Sequence, residues 1–143
     1  AILQFIKSKK WPAGEDSALL VFGRRLKFFK GGKGFVGIMG DKLPFSIHKK
    51  AAKETLRKAR KEILSKKYSL VVLDEINVAL SLGLVKLNDV LRLVRKIPKN
   101  MDLILTGRGA PKSLIKKADL VTEFKEIKHP FQKGVWGKKG REY

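Results

Sequence analysis

The sequence contains no cysteine. That excludes a disulfide framework, a thiolate metal site and a cysteine nucleophile, and a cytoplasmic protein is the natural expectation. Histidine is nearly as scarce: the two present, His48 and His129, lie far apart without the spacing a zinc site needs. Long apolar runs are missing as well. Stretches such as Leu70 to Leu73 and Leu103 to Leu105 fall far short of the roughly 20 residues of a membrane span. Nothing at the start reads as a signal peptide, so no membrane partner is expected. Negative charge is sparse, with 13 Asp and Glu against 33 Lys and Arg and a net charge of +20. Such a field attracts any polyanion without selecting one. Much of the lysine, as at Lys49, Lys50, Lys53, Lys58, Lys61, Lys66 and Lys67, is spread along a helical stretch and reads as a solvated face, so a nucleic-acid partner is not expected. Two motifs are also absent: G-x-x-x-x-G-K-[ST], the phosphate-cradling loop, and G-x-S-x-G, the nucleophile elbow.

What is present reads as alternating strands and helices. The 143 residues suit one domain over positions 1–143. Ala1 to Ile6, AILQFI, is a buried-strand run; Ala18 to Phe22 is apolar and suits a short strand or helix; Lys27 to Lys30 suggests another short strand. Gly31 to Asp41 is too rich in glycine for regular structure throughout. From Ser46 to Lys67, Ala52, Leu56, Ala59 and Ile63 recur at spacings of four, three and four, which predicts an amphipathic helix. LVVL at Leu70 to Leu73 predicts a parallel strand covered on both faces. Asn88 suits the cap of a helix carrying Val90, Leu91, Val94 and Ile97 and closed by Pro98. Met101 to Leu105 predicts a buried strand, Pro111 a short helix, and Asp119 to Ile127 a last strand. Elements in this order and of this length imply an α/β fold, a mostly parallel sheet with helices on its faces. Ligands of such sheets bind beyond the carboxyl ends of the strands.

Two segments fall at those ends. Val71 to Glu75, VVLDE, has the form of a Walker B strand, in which apolar residues bury the strand and a terminal carboxylate reaches Mg²⁺ directly or through water. Apolar strands ending in acidic residues are common, so this pattern needs its neighbours. Thr106 to Gly109, TGRG, follows the next strand; its glycines permit close backbone approach, and Arg108 offers a planar cationic fork suited to phosphate oxygens. Gly32, Gly34 and Gly37 satisfy G-x-G-x-x-G but lack the strand-to-helix setting of a dinucleotide fingerprint. Phe35, Val36 and Ile38 instead place apolar groups inside a flexible loop, as contact with a flat, partly apolar partner would require. The alternative, that they tuck into the core, stays open at this point.

The segments QFIKSKKWPAGE (Gln4 to Glu15), KGFVG (Lys33 to Gly37), VVLDEINVAL (Val71 to Leu80), LILTGRGAP (Leu103 to Pro111), ADLVTE (Ala118 to Glu123) and KHPFQKGVWGKKGREY (Lys128 to Tyr143) resemble, in order and across nearly the whole chain, the ATP:corrinoid adenosyltransferases. The resemblance implies a P-loop fold with a RecA-like sheet, usually dimeric. It further implies transfer of the 5′-deoxyadenosyl group of ATP to Co(I) of a reduced corrinoid, with release of triphosphate and a reductase as electron donor. On this basis Asp74 and Glu75 hold or orient Mg²⁺, Thr106, Gly107 and Arg108 sit by the polyphosphate, and Gly34, Phe35, Val36 and Gly37 lie against the corrin. The family commonly has an aromatic pair, G-F-T-W, at this last segment; Phe35 matches its first member, and Gly37 stands where the Trp is expected. The family also begins with a strand, the P-loop and a helix, whereas this chain begins at the counterpart of the second strand, so the expectation is an N-terminally truncated chain. Two other readings compete: a basic module that binds corrinoid or nucleic acid without catalysis, and an ATPase releasing ADP and phosphate.

Overall fold

The computed structural model describes residues 1–10 and 14–135. Among these residues four strands, β1 (Ile2–Ser8), β2 (Phe28–Gly32), β3 (Leu70–Asp74) and β4 (Asp102–Leu105), form one sheet in the order β2-β1-β3-β4. All neighbours are parallel. Among the described residues, five helices connect or follow the strands: α1 (Gly14–Ala18), α2 (Phe45–Leu64), α3 (Ile76–Ser81), α4 (Leu87–Val94) and α5 (Lys112–Ile115). The α/β class expected from the order of elements is the one observed. None of the helices is long and apolar enough to cross a membrane, among the described residues.

Register explains how the two faces of the sheet differ. Leu3 pairs with Phe29 and Leu73, and Val71 and Leu73 pair with Leu103 and Leu105. Successive strand residues point to opposite faces, so these apolar side chains share one face. That is the face of α2, since a Cβ on Gly31 would strike Thr55 of that helix. α2 presents the stripe His48, Ala52, Thr55, Ala59 and Ile63, all buried. Ala52, Ala59 and Ile63 join Leu3, Phe5, Val71, Leu73, Ile76, Ala79, Val90 and Leu93 in one core cluster. On the opposite face, register aligns Asp74, Gln4 and Lys30 across three strands. α1 lies on this second face, where Asp16 Oδ2 accepts a hydrogen bond from buried Lys30 Nζ at 2.6 Å.

Several local expectations are corrected. β3 is not sealed on both faces: Val71 and Leu73 are fully buried, Val72 is half-buried and Leu70 is exposed, because only the α2 face is thickly covered. Ala18 to Phe22 is neither a strand nor a regular helix but runs from the end of α1 into a 3-10 segment, Leu19–Arg25, interrupted at Gly23. Asn88 is no cap: α4 starts at Leu87 with Lys86 at the cap position. Leu87 packs on the core in line with Leu91 and Val94, so burial draws the helix back past Asn88, and the helix ends at Val94, short of Ile97 and Pro98. Asp119 to Ile127 forms no strand. A strand persists through ladder hydrogen bonds, and this segment pairs with none of the four strands, leaving Leu120, Phe124 and Ile127 more than four-fifths exposed.

Candidate functional site

Because all four strands run the same way, Ser8, Gly32, Asp74 and Leu105 end on one edge of the sheet, and the loops after β3 and β4 meet there. The Asp74 carboxylate accepts two hydrogen bonds, from Thr106 Oγ1 to Oδ1 at 2.9 Å and from Gln4 Nε2 to Oδ2 at 3.0 Å. Thr106 Oγ1 in turn accepts the Glu75 N–H at 3.0 Å. Asn77 N–H donates to the Thr106 carbonyl, and Asn77 Nδ2 donates to the Gly107 carbonyl at 3.3 Å. The loops after β3 and β4 are therefore stitched together, and Asp74 is held from both sides.

Backbone conformation keeps the junction tight. Glu75 adopts φ 62°, a left-handed conformation that costs a residue with a Cβ roughly 1–2 kcal/mol. Gly107 has φ 109°, and a Cβ there would lie 3.2 Å from both Glu75 Cα and Val78 N, so this position needs glycine on both counts. Burial, and then repulsion from Asp74, push the Glu75 carboxyl above its ordinary value, opposed by the nearby charges of Arg108 and Lys7. Backbone strain and like-charge crowding thus coincide at Glu75, at the carboxyl edge of the sheet.

The linkage follows from the sign of that shift. A carboxyl raised in the folded state favours its neutral form, so its ionisation costs stability above the ordinary carboxylate range and costs nothing below it. Glu75→Gln is therefore expected to raise the melting temperature at pH 7 by about 2 °C, with the gain vanishing near pH 3. Thermal melts at the two pH values check this; an equal gain at both would contradict an electrostatic origin.

A divalent cation would relieve the same repulsion. Among the described residues no three His, Cys, Asp or Glu side chains gather into a ready-made cage. Magnesium needs none, since it is held through one or two carboxylates together with phosphate oxygens and water. Asp74 and Glu75, with cationic Arg108 alongside, fit that requirement.

The structure thus brings together Asp74, Glu75, Thr106 and Gly107, with Arg108 within electrostatic reach of Glu75. Gly34, Phe35, Val36 and Gly37 lie elsewhere on the same edge, after β2. Strand β1 intervenes, which at the usual strand spacing puts β2 about 10 Å from β3. Val36 packs on the core, while Phe35 and Ile38 are exposed. Gly34 is tied to the sheet by its N–H, which donates to the Ile6 carbonyl at 2.9 Å. Gln4 and Asn77 escaped sequence reasoning. A glutamine inside AILQFI was the available signal for Gln4; Asn77 offered none.

The family model for ATP:corrinoid adenosyltransferase BtuR/CobO/CobP matches residues 1–143. The chain belongs to this family. Among curated corrinoid adenosyltransferases it is 34% identical to that of Sinorhizobium sp over 144 residues, covering all of this chain and 66% of that protein. It is 32% identical to that of Pseudomonas aeruginosa, covering 99% and 68%, and 27% identical to that of Escherichia coli K12, covering 99% and 69%. The chain spans about two thirds of the length of these adenosyltransferases. Of the segments that carry the likeness, residues 11–13 and 136–143, including the closing G-x-E-Y, lie outside the described residues. The rest fall on β1 and the start of α1, the loop after β2, β3 with α3, β4 with the loop after it, and the segment that follows α5.

Proposed function

We propose that this protein transfers the 5′-deoxyadenosyl group of ATP to cobalt of a reduced corrinoid. The observation that carries this reading is the meeting of Asp74, Glu75, Thr106 and Arg108 at the carboxyl edge of the sheet in a chain of this family. In the reaction Co(I) supplies the electron pair that forms the bond to C5′, the C5′–O bond breaks, and triphosphate leaves. Bound Mg²⁺ would supply charge neutralisation of the phosphates. The chain's task is to orient and to balance charge. Thr106 and Gln4 fix the Asp74 carboxylate, and Asp74 and Glu75 would hold the cation. Arg108, with Thr106 and Gly107 beside it, binds the polyphosphate, and its guanidinium stabilises charge on the leaving group. Gly34, Phe35, Val36 and Gly37 form the rest on which the corrin lies.

A homodimer is part of the same proposal, supported by the exposure of Leu20, Val21 and Phe22, a cluster of the kind that association covers. So are a reductase that supplies Co(I) and a cytoplasmic setting, which the cysteine-free composition suits. Incubation with ATP, Mg²⁺ and chemically reduced cobalamin is expected to yield adenosylcobalamin and triphosphate in equal amounts. ADP and phosphate as products would favour the ATPase reading. Steeply salt-dependent nucleic-acid binding without adenosylation would favour the basic binding module.

A further inference from the structure

The loop between β2 and α2 is not self-supporting. Gly34, Gly37, Met39 and Gly40 all have positive φ, from 52° to 108°, and Met39 pays the left-handed penalty of a residue with a Cβ. The glycines adopt these angles without strain, so Met39 alone needs its surroundings to hold it. The main determinant is Asp41. Its Oδ2 accepts the Gly37 N–H at 2.9 Å and its Oδ1 accepts the Leu43 N–H at 3.0 Å. The same Oδ2 lies 2.9 Å from Nε2 of His48, whose side chain is 2% exposed in the first turns of α2. Asp41 Oδ2 thus joins the end of the Gly34–Gly37 segment to a helix that is itself packed on the sheet. Neither residue touches Asp74, Glu75 or Thr106 in the site described above, and no contact with substrate is needed for their effect.

We propose that Asp41 and His48 are positioning residues that set the conformation of the Gly34–Gly37 segment and thereby the affinity of the protein for the flat corrin macrocycle. This rests on the reading that the segment lies against the corrin. A carboxylate accepting two backbone N–H groups fixes both ends of the 37–43 turn, and buried His48, with Nε2 2.9 Å from Oδ2, packs that carboxylate against α2. Without that clamp Gly37 regains the freedom of glycine, and corrinoid binding has to supply the cost of ordering it.

The test compares the unaltered chain with Asp41→Ala, His48→Ala and His48→Gln. It measures titration with cob(II)alamin, titration with MgATP, and amide hydrogen exchange. Asp41→Ala is expected to weaken cob(II)alamin binding about tenfold, the scale of losing hydrogen bonds to a charged group, while MgATP affinity stays within about twofold on the same scale. The Gly37 and Leu43 amides should exchange faster, with those of β1 and β3 unchanged. His48→Ala should give a smaller loss, and His48→Gln, which keeps a side-chain N–H donor, should recover most of it. A purely structural role would lower the affinity for both ligands together and spare none of the sheet amides; that result overturns the inference. So does unaltered cob(II)alamin affinity in a variant whose parent binds it. If Asp41→Ala does not fold, Asp41→Asn carries the same comparison with a loss of about threefold, since it keeps one acceptor. Failure of the unaltered chain to bind cob(II)alamin overturns the corrinoid reading itself, and the inference with it.

Discussion

Gly32→Ala is expected to lower the melting temperature by roughly 10 °C. Gly32 ends β2 opposite Ser8, beyond the register irregularity that separates the Gln4–Lys30 pair from Ser8–Gly32. A Cβ here would lie 2.1 Å from the Ile6 carbonyl oxygen and 2.2 Å from its carbon. Both are backbone atoms of the neighbouring strand, so no rotamer change relieves the overlap. Gly32 is not among the glycines with positive φ; the cost is steric, and the strands must part to accommodate it. The same Ile6 oxygen accepts the Gly34 N–H, so the loop after β2 would be displaced along with the strand. Gly31→Ala offers the internal comparison. Its Cβ would meet Thr55 Oγ1 at 1.9 Å and Cβ at 2.8 Å, and Phe29 Cε1 at 2.8 Å. These are side-chain atoms, so Thr55→Ala should recover part of the loss at Gly31 and none at Gly32. Thermal melts of the two single variants and the two doubles check this. Equal rescue at both positions would show that the backbone overlap at Gly32 is relieved by some other movement.

Much of this architecture was legible because burial imposes a period on the sequence. The stripe Ala52, Leu56, Ala59 and Ile63 gave α2 almost to its ends, and the continuous runs of β1, β3 and β4 gave the strands of a parallel sheet. Shorter elements were harder. α3 spans six residues, fewer than two helical turns, so no periodicity could announce it. Residues 119–127 carry strand-forming side chains, yet a strand is a property of a pair, and the sequence of one partner does not say that a partner is present. Asn88 has the right chemistry for a cap and lost to Leu87, whose burial is worth more than a capping hydrogen bond.

Within the candidate site the same division holds. Residues whose chemistry points outward, Asp74, Glu75 and Arg108, stood out at the strand ends. Residues that act on other residues did not. Gln4 is one polar side chain in an apolar run, and only register brings it opposite Asp74. Asp41 sits 7 residues from His48 in a loop whose shape the sequence does not encode. Legibility therefore tracks range: the candidate ligand-binding groups are visible as local motifs, and the groups that hold them in place become visible only when distant segments are brought together.

Asp74→Asn separates these roles most sharply, and it is expected to lower Mg²⁺-dependent turnover by about 10²- to 10³-fold while leaving the melting temperature unchanged or slightly raised. Asparagine has the shape of aspartate, and its neighbours can adapt. Gln4 Oε1 is buried and otherwise without a hydrogen-bond partner, so turning over the Gln4 amide presents an acceptor to the new Asn Nδ2. Thr106 Oγ1 can still donate to the Asn oxygen. The structural hydrogen bonds survive with their polarity partly reversed, and removal of the Asp74 charge relieves Glu75, whose carboxyl that charge helps to push up. What is lost is half of the negative charge available to a divalent cation. Turnover and MgATP binding measured across a magnesium titration, beside a thermal melt, decide the matter. Activity within about threefold of the parent would remove Asp74 from the metal site, and a fall in activity matched by a comparable fall in stability would reduce its role to holding β3 against β4. A milder change at the residue behind it tests the support. Gln4→Leu leaves the Asp74 charge in place but releases Oδ2, so it should raise the magnesium requirement several-fold and cost less than tenfold in the maximal rate, the scale expected for a residue that orients a ligand rather than being one.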